Sequence, residues 1–150
     1  MAAYELEKLT PILHSGPVAA GTTTITPSSG VNCAGSNAVR FIVSWGAIVA
    51  SGVQSIEVHQ SSDDGSSDTY TAIAGTKITV ADDDDNTLTV IDILNPGEQY
   101  LKCIVNRATQ NSAINNIIAL VLPDASPASL TAGSTVNGYE VHNFAAEGTA

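Results

Sequence analysis

Four consecutive aspartates at positions 82–85 are the residues of this chain that most directly suggest chemistry. Carboxylate oxygens bind Ca²⁺, which takes about six to eight oxygen ligands. The run lacks the alternating spacing and the central glycine of an EF-hand loop. Asp and Asn also favour tight turns, because their side chains bond to nearby backbone groups. We therefore interpret Asp82, Asp83, Asp84, Asp85 and Asn86 as a solvated turn. A metal ion held at a contact between subunits is the alternative.

A second acidic loop contains Asp63, Asp64, Gly65 and Asp68. Its composition is typical of a solvated loop between two strands. If the two acidic loops lie together, they create a region of negative potential that suits docking against a basic partner surface.

Other patterns that accompany catalysis are missing from the sequence. The three histidines, His14, His59 and His142, have no metal-ligand spacing. No Gly-x-Ser-x-Gly motif selects a nucleophilic serine, and no glycine-rich phosphate loop is present. A sugar-cleaving site needs aromatic platforms as well as carboxylates, and the chain has one Trp. We predict that the protein is not an enzyme and needs no cofactor or metal.

Two cysteines, Cys33 and Cys103, are too far apart in sequence to form a metal or redox motif. Both lie among apolar or small residues, which indicates buried free thiols in a reducing compartment. A disulfide between them is the alternative.

Charge and hydropathy exclude two classes of partner. The 150 residues include 5 basic and 15 acidic ones, for a net charge of −10, and the basic residues are scattered singly. Nucleic acid binding needs clustered Lys and Arg, so we expect no nucleic acid partner. The longest apolar run has six residues, 117–122, whereas a membrane helix needs roughly 20. The first residues lack the features of a secretory signal, so we expect the chain to remain in the cytosol where it is made.

Short alternating segments predict an all-β protein. Residues 39–45 are the clearest, with apolar side chains at every odd position. Several strands at short spacing, without a convincing helix, indicate a single β-sandwich of jelly-roll-like type. The predicted core comprises Phe41, Val43, Trp45, Ile56, Val58, Val90, Leu101, Cys103, Val105, Ile118 and Leu120.

The two ends of the chain differ from this body. We predict an amino-terminal arm over residues 1–20, a sandwich over 21–123 and a carboxy-terminal tail over 124–150 with a possible late strand at 139–144. In the arm, Pro11 prevents a regular helix. Four aliphatic side chains there lack an obvious place in a small sandwich, and we predict that they bind a partner. They are Leu6, Leu9, Ile12 and Leu13.

Several stretches of the sequence form a familiar combination of strands and turns. They are residues 9–13 (LTPIL), 60–64 (QSSDD), 68–75 (DTYTAIAG), 78–86 (ITVADDDDN), 90–93 (VIDI), 100–111 (YLKCIVNRATQN) and 146–150 (AEGTA). Together they resemble the capsid decoration proteins of tailed bacteriophages, also called cement or head-stabilising proteins. The resemblance is thinnest over residues 17–37 and 124–143. Related sequences often have a bulkier, more basic segment at positions 95–99, where this chain has NPGEQ.

This resemblance implies a structural protein of the virion, made in the host cytoplasm and placed on the exterior of the head. Such proteins bind the assembled shell as homo-oligomers, dimers or trimers, over junctions between subunits of the major capsid protein. An alternative with the same fold is a carbohydrate-binding or tail- or fibre-associated β-sandwich module of the phage particle. An exposed aromatic cluster would distinguish the carbohydrate-binding module.

Overall fold

Side-chain alternation produces the longest strand of the protein, β4 (Ser36–Ile48). From residue 39 to residue 45 its odd positions are fully buried, while Arg40, Ile42 and Ser44 between them keep part of their surface exposed. The buried side chains are Val39, Phe41, Val43 and Trp45. This period of two is what a strand with one face on a core requires.

The computed structural model describes residues 9–123, 136–143 and 147–148. Within these ranges the regular elements are all strands. The other strands are β1 (Thr10–Ser15), β2 (Val18–Gly21), β3 (Val31–Asn32), β5 (Val53–Ser61), β6 (Thr71–Ala72), β7 (Ile78–Val80), β8 (Leu88–Leu94), β9 (Tyr100–Ala108), β10 (Ser112–Pro123) and β11 (Val136–Asn143). No helix in the described part of the chain is long and apolar enough to cross a membrane.

The strands form two sheets that pack face to face. A six-stranded sheet has the order β1-β10-β4-β8-β11, with β2 also paired to β10. A five-stranded sheet has the order β3-β9-β5-β6, with β7 also paired to β5. The pairing of β8 with β11 is parallel, and the other named pairs are antiparallel. The predicted all-β sandwich is confirmed.

The core lies between the two sheets, and one strand contributes to it differently from the prediction. Ile118 and Leu120 of β10 keep part of their surface exposed, whereas Ile117 and Ala119 are fully buried. The prediction of Ile118 and Leu120 as core residues was therefore wrong by one position. The other nine predicted core residues are buried. Because β10 is apolar on both faces, alternation in its sequence does not choose which face is inward.

The amino-terminal segment expected to be an arm is strand from Thr10 onward. Strand β1 pairs with the carboxy-terminal half of β10, and β2 pairs with its start. The side chain of Ile12 packs against the core cluster. Residues 10–21 therefore complete the edge of the six-stranded sheet, because β10 would otherwise leave its backbone hydrogen-bonding groups unpaired.

The late strand of the chain is β11, which runs parallel to β8 close to the position where the sequence predicts a strand. Farther on, Glu147 forms an isolated bridge with Ile73. The backbone N–H of Gly148 donates to the carbonyl of Ala72 over 2.9 Å. The carboxy-terminal residues described here therefore contact both sheets.

Loops gather at the two ends of the sandwich. One end, called the valine end below, carries the β4–β5 turn (49–52), the β7–β8 loop (81–87) and the β9–β10 turn (109–111). The other, called the tyrosine end, carries residues 28–30, the β5–β6 loop (62–70) and the β8–β9 loop (95–99). Strand β5 joins the two ends, which puts them about 26 Å apart at about 3.3 Å per residue.

Candidate functional site

Two exposed valines mark the valine end. Val49 and Val53 flank the β4–β5 turn and keep 47% and 57% of their surface exposed. Among the described residues, the other large hydrophobic side chain with comparable exposure is Leu13. Apolar side chains held together at a loop tip are a feature of surfaces that bind other proteins.

The valine turn is held in one conformation. The N–H of Gly52 donates to the carbonyl of Val49, and the N–H of Val49 donates to the carbonyl of Asn111, each over 2.9 Å. Ser51 has a positive φ of 68°. A Cβ atom at Gly52 would lie 2.9 Å from the Val49 carbonyl, so the tight turn requires glycine there. The two valines are thus presented on a rigid turn, which lowers the entropy cost of binding.

The acidic run lies directly beside this turn. The carboxylate of Asp82 accepts a hydrogen bond from the backbone N–H of Ser51. Asp84 accepts one from the N–H of Ala81 over 3.0 Å, within its own loop. The side chains of Asp83 and Asp85 are exposed. Asp82 and Asp84 therefore fix the loop, while Asp83 and Asp85 leave negative charge at the surface.

The backbone geometry of this loop is that of a tight turn. Asn86 has a positive φ of 58°, and its N–H donates to the carbonyl of Gly46 over 3.1 Å. Over residues 9–123, 136–143 and 147–148, no group of three or more His, Cys, Asp or Glu is placed to hold a metal. Within these ranges Arg40 forms an ion pair with Asp92, and His59 contacts Glu57 over 2.9 Å; neither contact involves the acidic run.

A buried arginine forms hydrogen bonds to the backbone near the valine end. The Arg107 guanidinium donates to the backbone carbonyls of Ala19, Thr23 and Ser112 at 2.9, 2.8 and 2.6 Å. Burial lowers the pKa of Arg107 from its ordinary value. This side chain ties β2 and the residues that follow it to the start of β10, because one planar guanidinium reaches several acceptors at once.

The second acidic loop lies at the tyrosine end, so the two acidic loops are at opposite ends of the sandwich. They do not form one negative region, because β5 separates them. Here the carboxylate of Asp63 accepts the N–H groups of Ser66, Ser67 and Asp68 at 2.9, 2.7 and 3.1 Å. These bonds, led by that of Ser67, lower the pKa of Asp63. The charge of Asp63 therefore stabilises its own loop.

A compact cluster at the same end surrounds Tyr70. Its hydroxyl donates to the carboxylate of Asp64, which also accepts the N–H of Gly30 over 2.7 Å. The ammonium of Lys102 lies 4.1 Å from the centre of the Tyr70 ring and donates to the carbonyl of Ser28. A Cβ atom at Gly30 would lie 2.0 Å from the Tyr70 hydroxyl oxygen. The Tyr70 ring is thus engaged by its own chain.

Three acids meet near this cluster. Burial raises the pKa of Glu98 to about 7, and the neighbouring carboxylates of Asp68 and Glu147 add to the effect. Like charges close together disfavour ionisation of one member. The segment at positions 95–99, in which this chain differs from the decoration proteins it resembles, therefore contains a proton-sensitive carboxyl group.

The described histidines do not form a common site. His14 points into the core, where its ring centre lies 5.4 Å from that of Phe41 and burial lowers its pKa to about 4. His59 lies on the outer face of the other sheet and pairs with Glu57 at 2.9 Å. The side chain of His142 lies outside the described part.

Both cysteines are free and buried. The thiol of Cys33 donates to the carbonyl of Gln99 over 3.0 Å, and burial raises its pKa to about 11. Burial also raises the pKa of Cys103. Neither group is a reactive thiolate at neutral pH, because nucleophilic cysteines have a lowered pKa.

The residues predicted to bind a partner have different environments. Leu6 lies outside the described residues, and Leu9 and Ile12 are half-buried. Leu13 is 68% exposed, on the outer face of the six-stranded sheet. The structure packs Ile12 against the core and leaves the Leu13 side chain exposed.

The described aromatic side chains offer little to a sugar. Trp45 and Phe41 are fully buried. Trp45 donates to the hydroxyl of Thr89 over 2.8 Å inside the sandwich. Tyr70 is covered on one ring face by Lys102, and Tyr100 keeps part of its surface exposed. A row of free aromatic rings is therefore missing from the described surface.

The sequence analysis did not identify Val49 and Val53 as candidate site residues, because a valine at either position is also what a β-strand would contain. The segment VASGV contains the available signal: a glycine and a serine between two valines predict a tight turn with apolar residues on both sides. Their exposure depends on how far β4 and β5 extend beyond neighbouring loops, which only the fold determines.

No protein-family model and no curated protein matches the chain. Among solved structures, it is similar to a chain of infectious bursal disease virus, Gx strain, with 12% identity and a TM-score of 0.42 over 79% of this chain and 34% of that one. It is also similar to the xylanase 10B CBM22-1–GH10 modules of Clostridium thermocellum complexed with xylohexaose, with 9% identity and a TM-score of 0.43 over 81% of this chain and 26% of that one. Neither similarity bears on function.

Proposed function

We propose that the protein is a non-catalytic structural component of a phage virion. It binds the outside of an assembled head and stabilises the head by bridging subunits of the major capsid protein. The observation that carries this proposal is the valine end, where two exposed valines on a rigid turn lie beside an acidic loop that has no ion-pair partner among the described residues. The resemblance of the sequence to decoration proteins supplies the identity of the partner.

The valine end has the composition of a small protein-binding surface. Protein interfaces combine an apolar centre with a polar rim. Val49 and Val53 supply the centre, and Asp83 and Asp85 supply charge at the rim. A negative rim accelerates binding to a basic surface and selects against acidic ones. We therefore propose that the valine end contacts a capsid surface with an apolar recess bordered by Lys or Arg.

Stabilisation follows from binding the assembled shell more tightly than free subunits. A ligand that binds one state alone stabilises it by about 2.7 kcal/mol when its concentration is 100 times its dissociation constant. A copy that touches two neighbouring subunits gains affinity from both contacts, so each contact can be weak. The small area of the valine turn is compatible with that requirement.

Co-sedimentation of the protein with heads that lack it tests the proposal. We expect Val53→Glu to weaken binding about tenfold or more, because it places a carboxylate in the apolar centre. Thr79→Glu is the matched control, since it adds the same charge at an exposed position on β7. Both variants should melt at the wild-type temperature. Asp83→Asn should reduce the salt dependence of binding.

Two results would overturn the proposal. Wild-type protein that fails to sediment with heads refutes head binding itself. Full binding by a Val49→Glu, Val53→Glu double variant refutes the valine end as the contact and moves it to Leu13 and the amino-terminal residues.

A further inference from the structure

Three outward-facing residues of the six-stranded sheet are buried, although the core lies on the other side of that sheet. Side chains alternate along a strand, so Ala38 of β4 and Val90 and Asp92 of β8 point to the outer face. Val90 and Asp92 each keep 3% of their surface exposed, whereas Leu13 on the same face keeps 68%. Ile118 of β10 is also partly exposed there. The outer face is therefore covered over β8 and open over β1 and β10.

The cover over β8 belongs to the same chain, because these exposed fractions are those of one chain by itself. Every described strand belongs to one of the two sheets, so none of them lies over the outer face. The described loops gather at the two ends of the sandwich, whereas Val90 lies inside β8. A stretch of chain outside the described residues is left as the cover.

The connection between β10 and β11 has to run back along the sheet. Strand β10 is antiparallel to β4, β4 is antiparallel to β8, and β11 is parallel to β8, so β10 and β11 run in the same direction. Two parallel strands of one sheet need a crossover that returns the chain to the starting end. Strand β10 ends at the level of Ser36, and β11 begins at the level of Ser44. Residues 124–135 make this return.

The length of this connection restricts its route. From Pro123 to Val136 the straight distance is about 30 Å, for eight residues along the strands and three strand spacings across them. Twelve connecting residues reach at most about 43 Å. A route around the five-stranded sheet needs about 60 Å, and one outside the β11 edge about 50 Å. Since the core fills the inner face, the outer face is the route that the segment can span.

The direct route over the outer face passes above the buried residues. A third of the way across it lies over β4 near Ala38, and two thirds of the way across it lies over β8 between Asp92 and Val90. Leu13 and Ile118 lie to one side of it, which agrees with their exposure.

We propose that residues 124–135 form a strap across the outer faces of β4 and β8, with Leu130 packed on Val90. The segment reads DASPASLTAGST, in which small residues allow the backbone to approach the sheet closely and Leu130, near the middle, is the one large aliphatic residue. The strap closes this half of the outer face to partners and holds β11 to the sheet edge. The proposal does not depend on head binding.

Alkylation of an introduced cysteine by iodoacetamide tests whether Val90 is covered. Val90→Cys should react about tenfold or more slowly than Ile118→Cys, because a buried thiol reacts only when the structure opens locally. Ile118→Cys is the matched control, since both residues pair with Ile42, one on each side. The native thiols of Cys33 and Cys103 are buried, so their labelling reports loss of the fold.

A substitution in the strap tests which segment forms the cover. Leu130→Asp should accelerate labelling of Val90→Cys about tenfold or more, because a carboxylate does not pack on an apolar sheet face. It should leave the labelling of Ile118→Cys and the near-ultraviolet spectrum of Trp45 unchanged, which shows that the sandwich stays folded. Ser129→Asp is the matched control, since it adds the same charge to the strap beside Leu130.

Cross-linking measures the proximity directly. A short bismaleimide should join Leu130→Cys to Val90→Cys within one chain. It should not join Leu130→Cys to Thr79→Cys, which is exposed on the five-stranded sheet.

Any of three results overturns the strap. Equal labelling of Val90→Cys and Ile118→Cys would mean that Val90 is not covered. Continued protection of Val90→Cys in the Leu130→Asp variant would mean that another segment covers it, and acceleration by Leu6→Asp instead would identify the amino-terminal residues. A folded protein that gives no cross-link between positions 130 and 90 would exclude the proposed route.

Discussion

The imidazole of His14 caps the backbone of Cys103 on the opposite sheet: its Nε2 atom accepts the Cys103 N–H over 3.2 Å. On either side of this position the edge of β9 is paired, to Val31 at Leu101 and to Ile25 at Val105. His14 therefore fills the gap in the edge where no strand reaches Cys103. An unpaired buried N–H costs about 1–3 kcal/mol, which is the reason to place a hydrogen-bond acceptor there.

This bond predicts a stability that depends on pH. His14 must be neutral to accept the bond, and its pKa falls from 6.5 to about 4 in the folded state, mainly through burial and also through the charge of Lys102. The contribution is complete above pH 6.5 and is lost as the pH falls through 4, because the unfolded chain takes up the proton first. The shift corresponds to about 3 kcal/mol.

Comparison with His14→Gln isolates this contribution, since a glutamine amide oxygen can accept the same bond without titrating. Urea unfolding at several pH values should show the wild type losing stability relative to the variant between pH 6.5 and 4. Parallel pH profiles for the two proteins would contradict the prediction. The same bond argues that residues 1–14 cannot be removed without cost, unlike a free arm.

Titration of Glu98 changes the stability with pH in the direction opposite to that of His14. Its pKa is raised to about 7 by burial and by Asp68 and Glu147, so the folded state holds this proton more tightly than the unfolded chain. The associated stability is present below pH 4.5 and is lost as the pH rises through 7. Glu98→Gln should therefore gain stability over the wild type across that window and then level off.

Thermal unfolding between pH 4 and pH 8.5 measures the difference for Glu98. Glu147→Gln provides the control, because removing one neighbouring charge should move the transition to lower pH while keeping its direction. A Glu98→Gln variant that gains nothing at pH 8 would show that folding does not raise the pKa of Glu98.

Two adjacent isoleucines test the assignment of faces on β10. Ile117 is fully buried, whereas Ile118 points outward. At low micromolar concentration, Ile117→Ala should lower the free energy of unfolding by about 2–5 kcal/mol, and Ile118→Ala by about 1 kcal/mol. Chemical denaturation of both variants gives the comparison directly. Equal losses would mean that the register of β10 is not as described.

The sequence predicts correctly which face of β4 points into the core, but not which face of β10 does so. In β4 the outward positions include Arg40 and Ser44, so polarity identifies the inward face. In β10 hydrophobicity is similar on both faces, and the register with β4 shifts near Ile114 and Asn116. Such irregularities change which residues point inward, and they depend on the partner strand rather than on local sequence.

Long-range pairing was also hidden from the sequence. The contact of β1 with β10 joins residues more than 100 positions apart. Pro11 prevents a regular helix in this segment, and the segment was therefore predicted to be an arm. Proline is tolerated there because β1 is an edge strand, where one side of the backbone needs no partner. The candidate surface at Val49 and Val53 depends on the same kind of information, since exposure is a property of the assembled sandwich.

The last prediction concerns Arg107, whose buried guanidinium donates to three backbone carbonyls. Arg107→Met keeps much of the apolar volume and removes every donor. The carbonyl of Ser112 is then left buried without this donor, which costs about 1–3 kcal/mol. Ala19 and Thr23 are exposed, so water can replace the donor at their carbonyls, and we expect a total loss within the same range of about 1–3 kcal/mol. Lys77→Met, at an exposed position, should change stability by less than about 0.5 kcal/mol.

The region that loses stability distinguishes the hydrogen bonds of Arg107 from a general effect of its charge. Amide hydrogen exchange should accelerate first in residues 18–23, because Arg107 holds this segment against the β9–β10 turn. Arg107→Lys should recover little of the stability, since a single ammonium cannot reach all three carbonyls in the fixed geometry of a guanidinium. Exchange and stability in Arg107→Met equal to those of Lys77→Met would show that the segment is held by strand pairing alone, and binding at the valine end would then be insensitive to this arginine.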